Sequence, residues 1–320
     1  MRRLAMLATL ALLALLSCHP QQEEPFQATP YELPTPLFFP TRNNIPDDNP
    51  MTVEGVALGE KLFFKNNSCA TCHHKEYSFE GGHEATLEHL GTEHTMLPLI
   101  NLAWNTTGLG WKSQVPTLEA MVYAAYTDPK EINADTSEVV RQLQQSDVYP
   151  ELFKKAFGTD KINFILVEKA IAQYVRSLVF ANSKFDRYLR GEEQLTQDEL
   201  NGYLLFTTEN GADCFHCHGG GSNALFTTNL RYNNGLDAAS TDTFKAPTLR
   251  NIALTAPYMH DGRFATLDEA IDFYSEGVQY SEHISPLMHH VMQGGVKLTD
   301  KEKAQLKAFL NTLTDSSLAQ

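Results

Sequence analysis

Two five-residue segments of the chain combine a pair of cysteines with a histidine at a fixed spacing. Both thiols of a Cys-x-x-Cys-His segment can form thioether bonds to the vinyl groups of a c-type haem, and the histidine can bind its iron. A zinc or thioredoxin-like site is the alternative, but no second cysteine pair completes a zinc set. The sequence therefore predicts two haem c groups, attached at Cys69-Ala-Thr-Cys72-His73 and Cys214-Phe-His-Cys217-His218.

The amino terminus has the pattern of an export signal. Arg2 and Arg3 precede an apolar run over residues 4–16, which is short for a membrane span. Two leucines followed by Ser17-Cys18 are similar to the lipobox of bacterial lipoproteins. We expect residues 1–17 to be a signal peptide and Cys18 to carry a lipid anchor, which places the protein in the periplasm or cell envelope on a membrane. A cleaved soluble protein or a signal anchor is the alternative.

A proline-rich stretch follows, and we expect residues 18–46 to be a semi-extended tether without regular helix. Its Phe38-Phe39 pair predicts that the second half docks on the folded body. The chain has 25 lysines and arginines against 39 aspartates and glutamates, a formal charge of −14. This balance argues against nucleic acid as a partner. An acidic surface suits a basic electron donor, although it also simply keeps a protein soluble.

The remaining chain has room for two domains, and an internal repeat supports that number. Gly59-Glu-Lys-Leu-Phe63 precedes the first pentad as Gly202-Tyr-Leu-Leu-Phe206 precedes the second. Helical spacing covers residues 53–62, 137–145, 164–178 and 266–274, with capping boxes at Thr196 and Thr299. No strand alternation is evident. We predict a mainly α fold of two cytochrome c-like domains, residues 47–185 and 186–316, joined near residues 181–195.

Motifs in both halves decide between an electron carrier and an enzyme. A carrier keeps both irons six-coordinate, whereas an enzyme that uses peroxide needs an open or labile iron site and an acid–base group above it. The chain resembles the superfamily of di-haem bacterial cytochrome c peroxidases and MauG over residues 47–315. The first half matches loosely, through Leu58–Phe64 and Leu99–Trp104. The closest matches are Phe244-Lys-Ala-Pro-Thr-Leu-Arg-Asn251, Leu254-Thr-Ala-Pro-Tyr-Met-His-Asp-Gly262 and Thr266-Leu-Asp-Glu-Ala-Ile-Asp-Phe-Tyr274.

The resemblance implies roles for residues near the first haem. Trp111 lies at the place of the family's inter-haem tryptophan, although the Asp and Arg that follow it in the family are absent; Trp104 is the alternative relay. Glu131, in Asp128-Pro-Lys-Glu131, lies at the spacing of the family's catalytic glutamate. It would take a proton from bound peroxide and return it to the leaving oxygen. Met121 replaces a frequent glutamine, which implies a drier pocket.

The resemblance also separates two branches at the second haem. Cytochrome c peroxidases have a methionine at the end of the helix after the Pro-Tyr-x-His motif, whereas the MauG-like branch, which includes MbnH, has a tyrosine. Tyr274 stands at that position. A tyrosinate ligand stabilises oxidised iron, so Tyr274 implies a second haem that holds an oxidising equivalent. The alternative is a buried helix tyrosine, with Met259, Met288 or Met292 as the ligand.

Further residues are implied to surround the haems. Arg250 is expected to pair with a propionate, and His260 to contact haem or protein rather than iron. A removable distal histidine would correspond to His83 or His89. The superfamily also holds a calcium ion between its domains, through backbone carbonyls and an asparagine. The matching positions here are Thr255 and Pro257, with Thr95 in place of the asparagine.

These observations predict an exported, membrane-tethered, peroxidase-type oxidoreductase with hydrogen peroxide as substrate. His73 and His218 would bind the two irons. A cytochrome c peroxidase would draw electrons from a small donor protein, and a MauG-like enzyme would oxidise a protein substrate. The peroxidase relatives often form homodimers. A non-enzymatic di-haem electron-transfer cytochrome is the alternative function.

Overall fold

The computed structural model describes residues 26–82, 94–220, 223–315 and 317 of the 320-residue chain. This part is mainly helical, as predicted, with short 3-10 turns between the helices. The predicted signal peptide and Cys18 lie outside the described residues, as do His83 and His89. The α-helices are Val53–Phe63 (α1), Leu118–Thr127 (α2), Thr136–Gln144 (α3), Tyr149–Phe157 (α4), Phe164–Ser177 (α5), Lys184–Leu189 (α6), Gln197–Phe206 (α7), Phe215–His218 (α8), Leu267–Asp272 (α9) and Asp300–Asn311 (α10).

Two further features complete the inventory. Strands Arg231–Tyr232 (β1) and Phe244–Lys245 (β2) pair antiparallel, with Arg231 opposite Lys245.

Among the helices of the described ranges, none combines the length and the apolar character that crossing a bilayer requires.

Polar caps set most of the helix starts. Thr196 and Thr299 each accept a hydrogen bond from the backbone three residues on, and the glutamate at that position bonds back to the cap. Both capping boxes are predicted from the sequence, and both are confirmed. Helix α6 was not predicted and falls within the expected join at 181–195; its capping box uses Ser183 and Asp186. The helices α2 and α4 were not predicted either.

The internal repeat corresponds to two close helix crossings. Helix α1 packs on α5, and a Cβ atom at Gly59 would lie 2.0 Å from the carbonyl oxygen of Ala170. Helix α7 packs on α10 in the same way, where a Cβ at Gly202 would lie 2.0 Å from the carbonyl oxygen of Gln305. No side chain fits at either crossing. Each glycine therefore lets a helix approach its partner closely just before the chain reaches a pentad.

The apolar side chains form two main cores, one in each half of the chain. The first is built around α1, α2, α5 and residues up to Leu178, and the second around α7, α9 and α10. A smaller cluster lies between them and contains residues from the tether and from both halves. Its buried members are Phe39, Ala103, Trp104, Ala224 and Leu225.

The second half of the tether docks on the body, as predicted. Phe39 is 6% exposed and packs edge-on against Trp104, with ring centroids 4.9 Å apart, whereas its neighbour Phe38 is 41% exposed. Farther along, the backbone N–H of Asn44 donates to the carbonyl of Ala103 at 2.8 Å. One phenylalanine of the pair thus enters the small cluster between the two cores.

A buried ion pair ties this cluster to the second half. The Arg250 guanidinium donates to both carboxylate oxygens of Asp186, at 2.9 and 2.6 Å, and to the carbonyls of Ala224 and Phe180. It also lies over the Phe39 ring, 4.8 Å from the centroid. Burial acts to raise the pKa of Asp186, but its bonds to Arg250 and Ser183 outweigh burial and lower that pKa. A buried carboxylate therefore already pairs with the guanidinium, and a propionate partner for Arg250 stays a prediction.

This arrangement makes Arg250 a stability residue. Arg250→Met leaves the Asp186 carboxylate buried without a cation, and we expect it to lower the free energy of unfolding by about 3–5 kcal/mol. Denaturant unfolding of the haem-loaded protein measures the loss. The double variant Arg250→Met/Asp186→Asn should recover part of it. A changed haem spectrum with unaltered stability would contradict this role and return Arg250 to the haem environment.

Candidate two-haem active site

Two cavities lie beside the two pentads. The first cavity is lined by Cys69, Cys72 and His73, with residues from α2 and from the loop that follows it. The second cavity is lined by the three corresponding residues of the other pentad, with residues from β2, α9 and the turn after α9. Three residues line both cavities and form what we call the shared wall: Trp111, Lys245 and Pro247.

Both pentad histidines are oriented by a backbone carbonyl. Nδ1 of His73 donates to the carbonyl of Phe79 at 2.6 Å, and Nδ1 of His218 donates to that of Pro247 at 3.0 Å. A carbonyl only accepts, so the proton lies on Nδ1 and the Nε2 lone pair is available to a metal. Burial lowers the pKa of His73, and it lowers that of His218 to about 4. Both rings are therefore neutral, as iron ligation requires.

The cysteines of the pentads are not set up for redox or zinc chemistry. None of the four forms a disulfide. Burial raises the pKa of Cys69 to about 11 and that of Cys214 to about 12. A thioredoxin-like site would instead lower the pKa of its attacking thiol. These thiols therefore resemble attachment points more than reactive groups.

The first cavity is also lined by a residue whose buried N–H group has no hydrogen-bond acceptor among the described residues. The indole Nε1 of Trp104 is buried and, within the described part of the chain, has no hydrogen-bond acceptor. Buried N–H groups are rarely left unpaired in native proteins, so this donor calls for an acceptor. A haem carboxylate would supply one. Together with a thiol pair, a neutral imidazole and largely apolar walls, this donor fits haem c.

Lys245, in the shared wall, is a site residue that sequence reasoning missed. It is 5% exposed, and its ammonium group donates to the carbonyl of Gly108. Burial lowers the pKa of Lys245 to about 8. A buried ammonium is costly without an anion, and Lys245 lines both cavities, where haem propionates would lie. The sequence feature that points to this residue is its position two residues before the Pro-Thr-Leu-Arg-Asn motif.

The structure separates the two tryptophans. Trp111 lines both cavities, its Nε1 donates to the carbonyl of Thr95 at 2.7 Å, and its own carbonyl accepts from Lys245 N–H at 2.7 Å. Trp104 lines the first cavity alone. Among the two relay candidates, Trp111 is the one whose position touches both sites.

The acid–base candidate Glu131 lines the first cavity with Asp128 and Met121. Burial, and then the charge of Asp128, raises the pKa of Glu131. Its charge also acts on Cys69 and Cys72, which places the carboxyl close to the first pentad. Gln114 lines the same cavity, so an amide is present there although Met121 replaces the family's usual glutamine.

Tyr274 lines the second cavity, where the sequence placed it. It stands in a π-helical turn, Phe273–Gly277, that continues α9, and such turns are frequent at functional sites. Its hydroxyl oxygen accepts a hydrogen bond from the Asn234 side-chain amide at 3.1 Å. Burial raises the pKa of Tyr274 to about 12, while the Asn234 bond opposes that rise.

The alternative methionine ligands are not equivalent. Met259 and Met288 line the second cavity, so both remain near the second pentad. Met292 is 78% exposed and lines neither cavity. Its position removes it as a candidate for the second iron.

His260 lies on the wall of the second cavity, where its ring stacks on Phe244 with centroids 3.7 Å apart. The predicted calcium positions also come together in part. Thr95 and Pro257 both lie against Gly262, but the Thr95 hydroxyl donates to the Met259 carbonyl at 3.1 Å. Calcium binding stays a prediction.

Comparisons with known proteins identify the family of the chain. The family model described as "Di-haem cytochrome c peroxidase" matches residues 53–194. The methylamine utilization protein MauG of Methylorubrum extorquens is 32% identical over 294 residues, which cover 84% of this chain and 80% of that protein. The cytochrome c551 peroxidase of Nitrosomonas europaea is 31% identical over 83% of this chain and 81% of its own.

Solved structures give the same result. A MauG-like protein associated with microbial copper homeostasis superposes with a TM-score of 0.80 at 32% identity, over 91% of this chain and 97% of that one. The diheme peroxidase BthA of Burkholderia thailandensis shares the fold at a TM-score of 0.68 and 18% identity, over 91% of this chain and 95% of its own. The chain therefore belongs to the family of di-haem cytochrome c peroxidases that includes MauG, and it is an oxidoreductase of the peroxidase type.

Proposed function

We propose that this enzyme activates hydrogen peroxide in the first cavity and passes oxidising equivalents across the shared wall to the second. One haem c would be attached at each pentad, in two cytochrome c-like domains, with His73 and His218 as iron ligands. The observation that carries the proposal is the position of Trp111. It lines both cavities, and each cavity has its own Cys-x-x-Cys-His segment.

When bound, haem c supplies the iron that reacts with peroxide and stores the oxidising equivalents. The protein supplies a proton acceptor in the first cavity. Glu131, as a carboxylate, takes a proton from peroxide and returns it to the oxygen that leaves. Desolvation, and then the negative charge of Asp128, raises the pKa of Glu131 above the ordinary value, which makes it a stronger proton acceptor.

Tyr274 would bind the iron at the second site through its phenol oxygen. Loss of its proton yields a hard anionic oxygen, and a metal ion favours that loss because it stabilises the anion. The Asn234 amide already donates to this oxygen at 3.1 Å and would go on doing so to the phenolate. A neighbouring segment fixes the backbone at this position, since the Val296 N–H donates to the Tyr274 carbonyl at 3.1 Å.

We infer a MauG-like reaction, in which the oxidising equivalents act on a protein substrate. Tyr274 supports this branch, and so do the MauG of Methylorubrum extorquens and the MauG-like solved structure, each 32% identical. A cytochrome c peroxidase fed by a small donor protein is the second candidate, supported by the 31% identical peroxidase of Nitrosomonas europaea. We further propose export to the periplasm or cell envelope, with a lipid anchor at Cys18; a homodimer stays a prediction.

Peroxide reactivity tests the proposed function directly. We expect a high-spin ferric signal from the haem-loaded protein and a rapid change in its optical spectrum with one equivalent of hydrogen peroxide. Trp111→Phe should slow the spectral change at the second haem on the order of tenfold, or about 1.4 kcal/mol in barrier, relative to wild type. Trp104→Phe is the matched control and should leave that rate near wild type.

Two low-spin haems that do not react with peroxide would contradict the enzyme proposal. A slower spectral change at the second haem in Trp104→Phe, with a normal rate in Trp111→Phe, would reverse the relay assignment. The branches then separate by substrate. Oxidised residues in proteins that copurify with the chain, detected by mass spectrometry after peroxide, support the MauG-like reaction. Rapid turnover with a reduced small cytochrome c, and no such oxidation, supports the peroxidase.

Replacing Tyr274 tests the second iron ligand. Tyr274→Phe should change the optical and EPR spectra of the second haem and raise its midpoint potential, because an anionic ligand that stabilises oxidised iron is lost. Tyr232→Phe is the control. That hydroxyl also lies in the second cavity but bonds to Thr228 at 3.0 Å. Identical spectra for Tyr274→Phe and wild type would favour Met259 or Met288 instead.

Replacing Glu131 tests the proton acceptor and its pH dependence. Glu131→Gln should slow the peroxide reaction by about 10²–10⁴-fold. In wild type the rate should fall as pH drops through the pKa of Glu131, which burial and Asp128 hold above the ordinary value. Asp128→Asn removes a neighbouring negative charge and should move this acidic limb to lower pH.

Stopped-flow rates from pH 4 to 8 measure both effects. Glu138→Gln is the control, because that glutamate lies on the exposed side of α3 and pairs with Arg141 at 2.6 Å. A Glu131→Gln rate within a few-fold of wild type would remove Glu131 from the reaction.

A further inference from the structure

A second group of possible metal ligands lies at the edge of the second cavity. One ligand atom each from Asp213, His216 and His289 lies within 4.8 Å of the others. Nδ1 of His216 is 2.6 Å from one carboxylate oxygen of Asp213, and Nδ1 of His289 is 3.7 Å from the other. Asp213 and His289 also line the second cavity. This cluster is separate from His218, whose Nδ1 faces Pro247.

The neighbours of the cluster add a fourth possible ligand atom and a hydrogen bond that joins the two chain segments. A carboxylate oxygen of Glu209 lies 3.3 Å from Nδ1 of His289. Nε2 of His290 lies 2.9 Å from the Glu209 backbone carbonyl, which fixes the two segments relative to each other. The donors thus come from two chain segments far apart in sequence, residues 209–216 and 289–290, which the fold brings together.

The charges of the cluster call for a cation. The Asp213 side chain is only 6% exposed, and its ion-pair partners in the described part of the chain are the histidines His216 and His289, with no lysine or arginine among them. A buried carboxylate is costly without a positive partner. A bound metal dication would provide one, and the imidazole nitrogens would be its other ligands.

We propose that Asp213, His216 and His289 form a binding site for a divalent first-row transition metal beside the second haem site. Two imidazoles and a carboxylate are ligands of Zn²⁺ and Cu²⁺, with Cu²⁺ bound more tightly. Atoms bound to one tetrahedral ion at about 2.0–2.2 Å lie about 3.3–3.6 Å apart. Side-chain movements of at most about 1.5 Å would therefore complete the site, with Glu209 or water as a fourth ligand.

The proposed metal site does not depend on the peroxide reaction, and its test does not use activity. Haem-loaded protein is stripped with a chelator and then dialysed against Zn²⁺ alone or Cu²⁺ alone. We expect one ion bound per chain in excess of iron. The Cu²⁺ form should show an EPR signal with splitting from two nitrogens. The midpoint potential of the second haem should move to a more positive value on loading, because a nearby dication disfavours the loss of an electron.

The variants use an exposed histidine as the comparison. His289→Gln should weaken binding at least tenfold, or about 1.4 kcal/mol, whereas His283→Gln should bind as wild type does. His289 is 37% exposed and His283 is 49% exposed, so neither change disturbs a core. Asp213→Asn should weaken binding as well, provided that its haem content equals that of wild type.

Two results would overturn the assignment. One is wild-type protein that retains no ion after dialysis at micromolar metal. The other is equal affinity for the metal in His289→Gln, His283→Gln and wild type. The Asp213–His216 bond would then only stabilise the conformation of the pentad. Since His289 lies outside the pentad, His289→Gln decides the matter even if Asp213→Asn fails to attach haem.

Discussion

The close approach of two helices on a glycine is the constraint on which both haem sites depend. At Gly59 and again at Gly202, the carbonyl oxygen of the partner helix occupies the space that a side chain would need. Each crossing is followed within one turn by a phenylalanine with no exposed surface, Phe63 or Phe206. The helix ends there, and the pentad begins a few residues on. A larger residue at either glycine would push its helix outward and carry the pentad with it.

Two nearly identical supports nevertheless serve two different sites. The loop after the first pentad leads to α2 and to Glu131, a carboxyl group on the wall of the first cavity that we propose as the proton acceptor. The segment after the second pentad leads through β2 to the π-helical turn and to Tyr274, the phenol that we propose as a ligand of the second iron. The difference arises downstream of the repeat, in segments without internal similarity, so the shared helix pair fixes position while the later segments fix chemistry.

The sequence predicted the parts of this structure that depend on local pattern. The capping boxes at Thr196 and Thr299, the docking of Phe39 and the residues that meet in each cavity follow from spacing or from family motifs. Short helices such as α6 were missed, because six residues contain too little of a hydrophobic period to detect. The ion pair of Arg250 was missed for a different reason. Its partner Asp186 lies 64 residues away, and no local pattern reveals which carboxylate a buried guanidinium will meet.

The shared wall has a consequence for the energy of electrons. Lys245 borders both cavities, so a positive charge on its ammonium acts on the two sites in the same direction. Such a charge makes an electron more stable on either side of the wall, which raises both reduction potentials together. The difference between the potentials, which drives transfer from one side to the other, then changes little. A single buried charge can in this way set how strongly the pair oxidises without setting the direction in which electrons flow between its members.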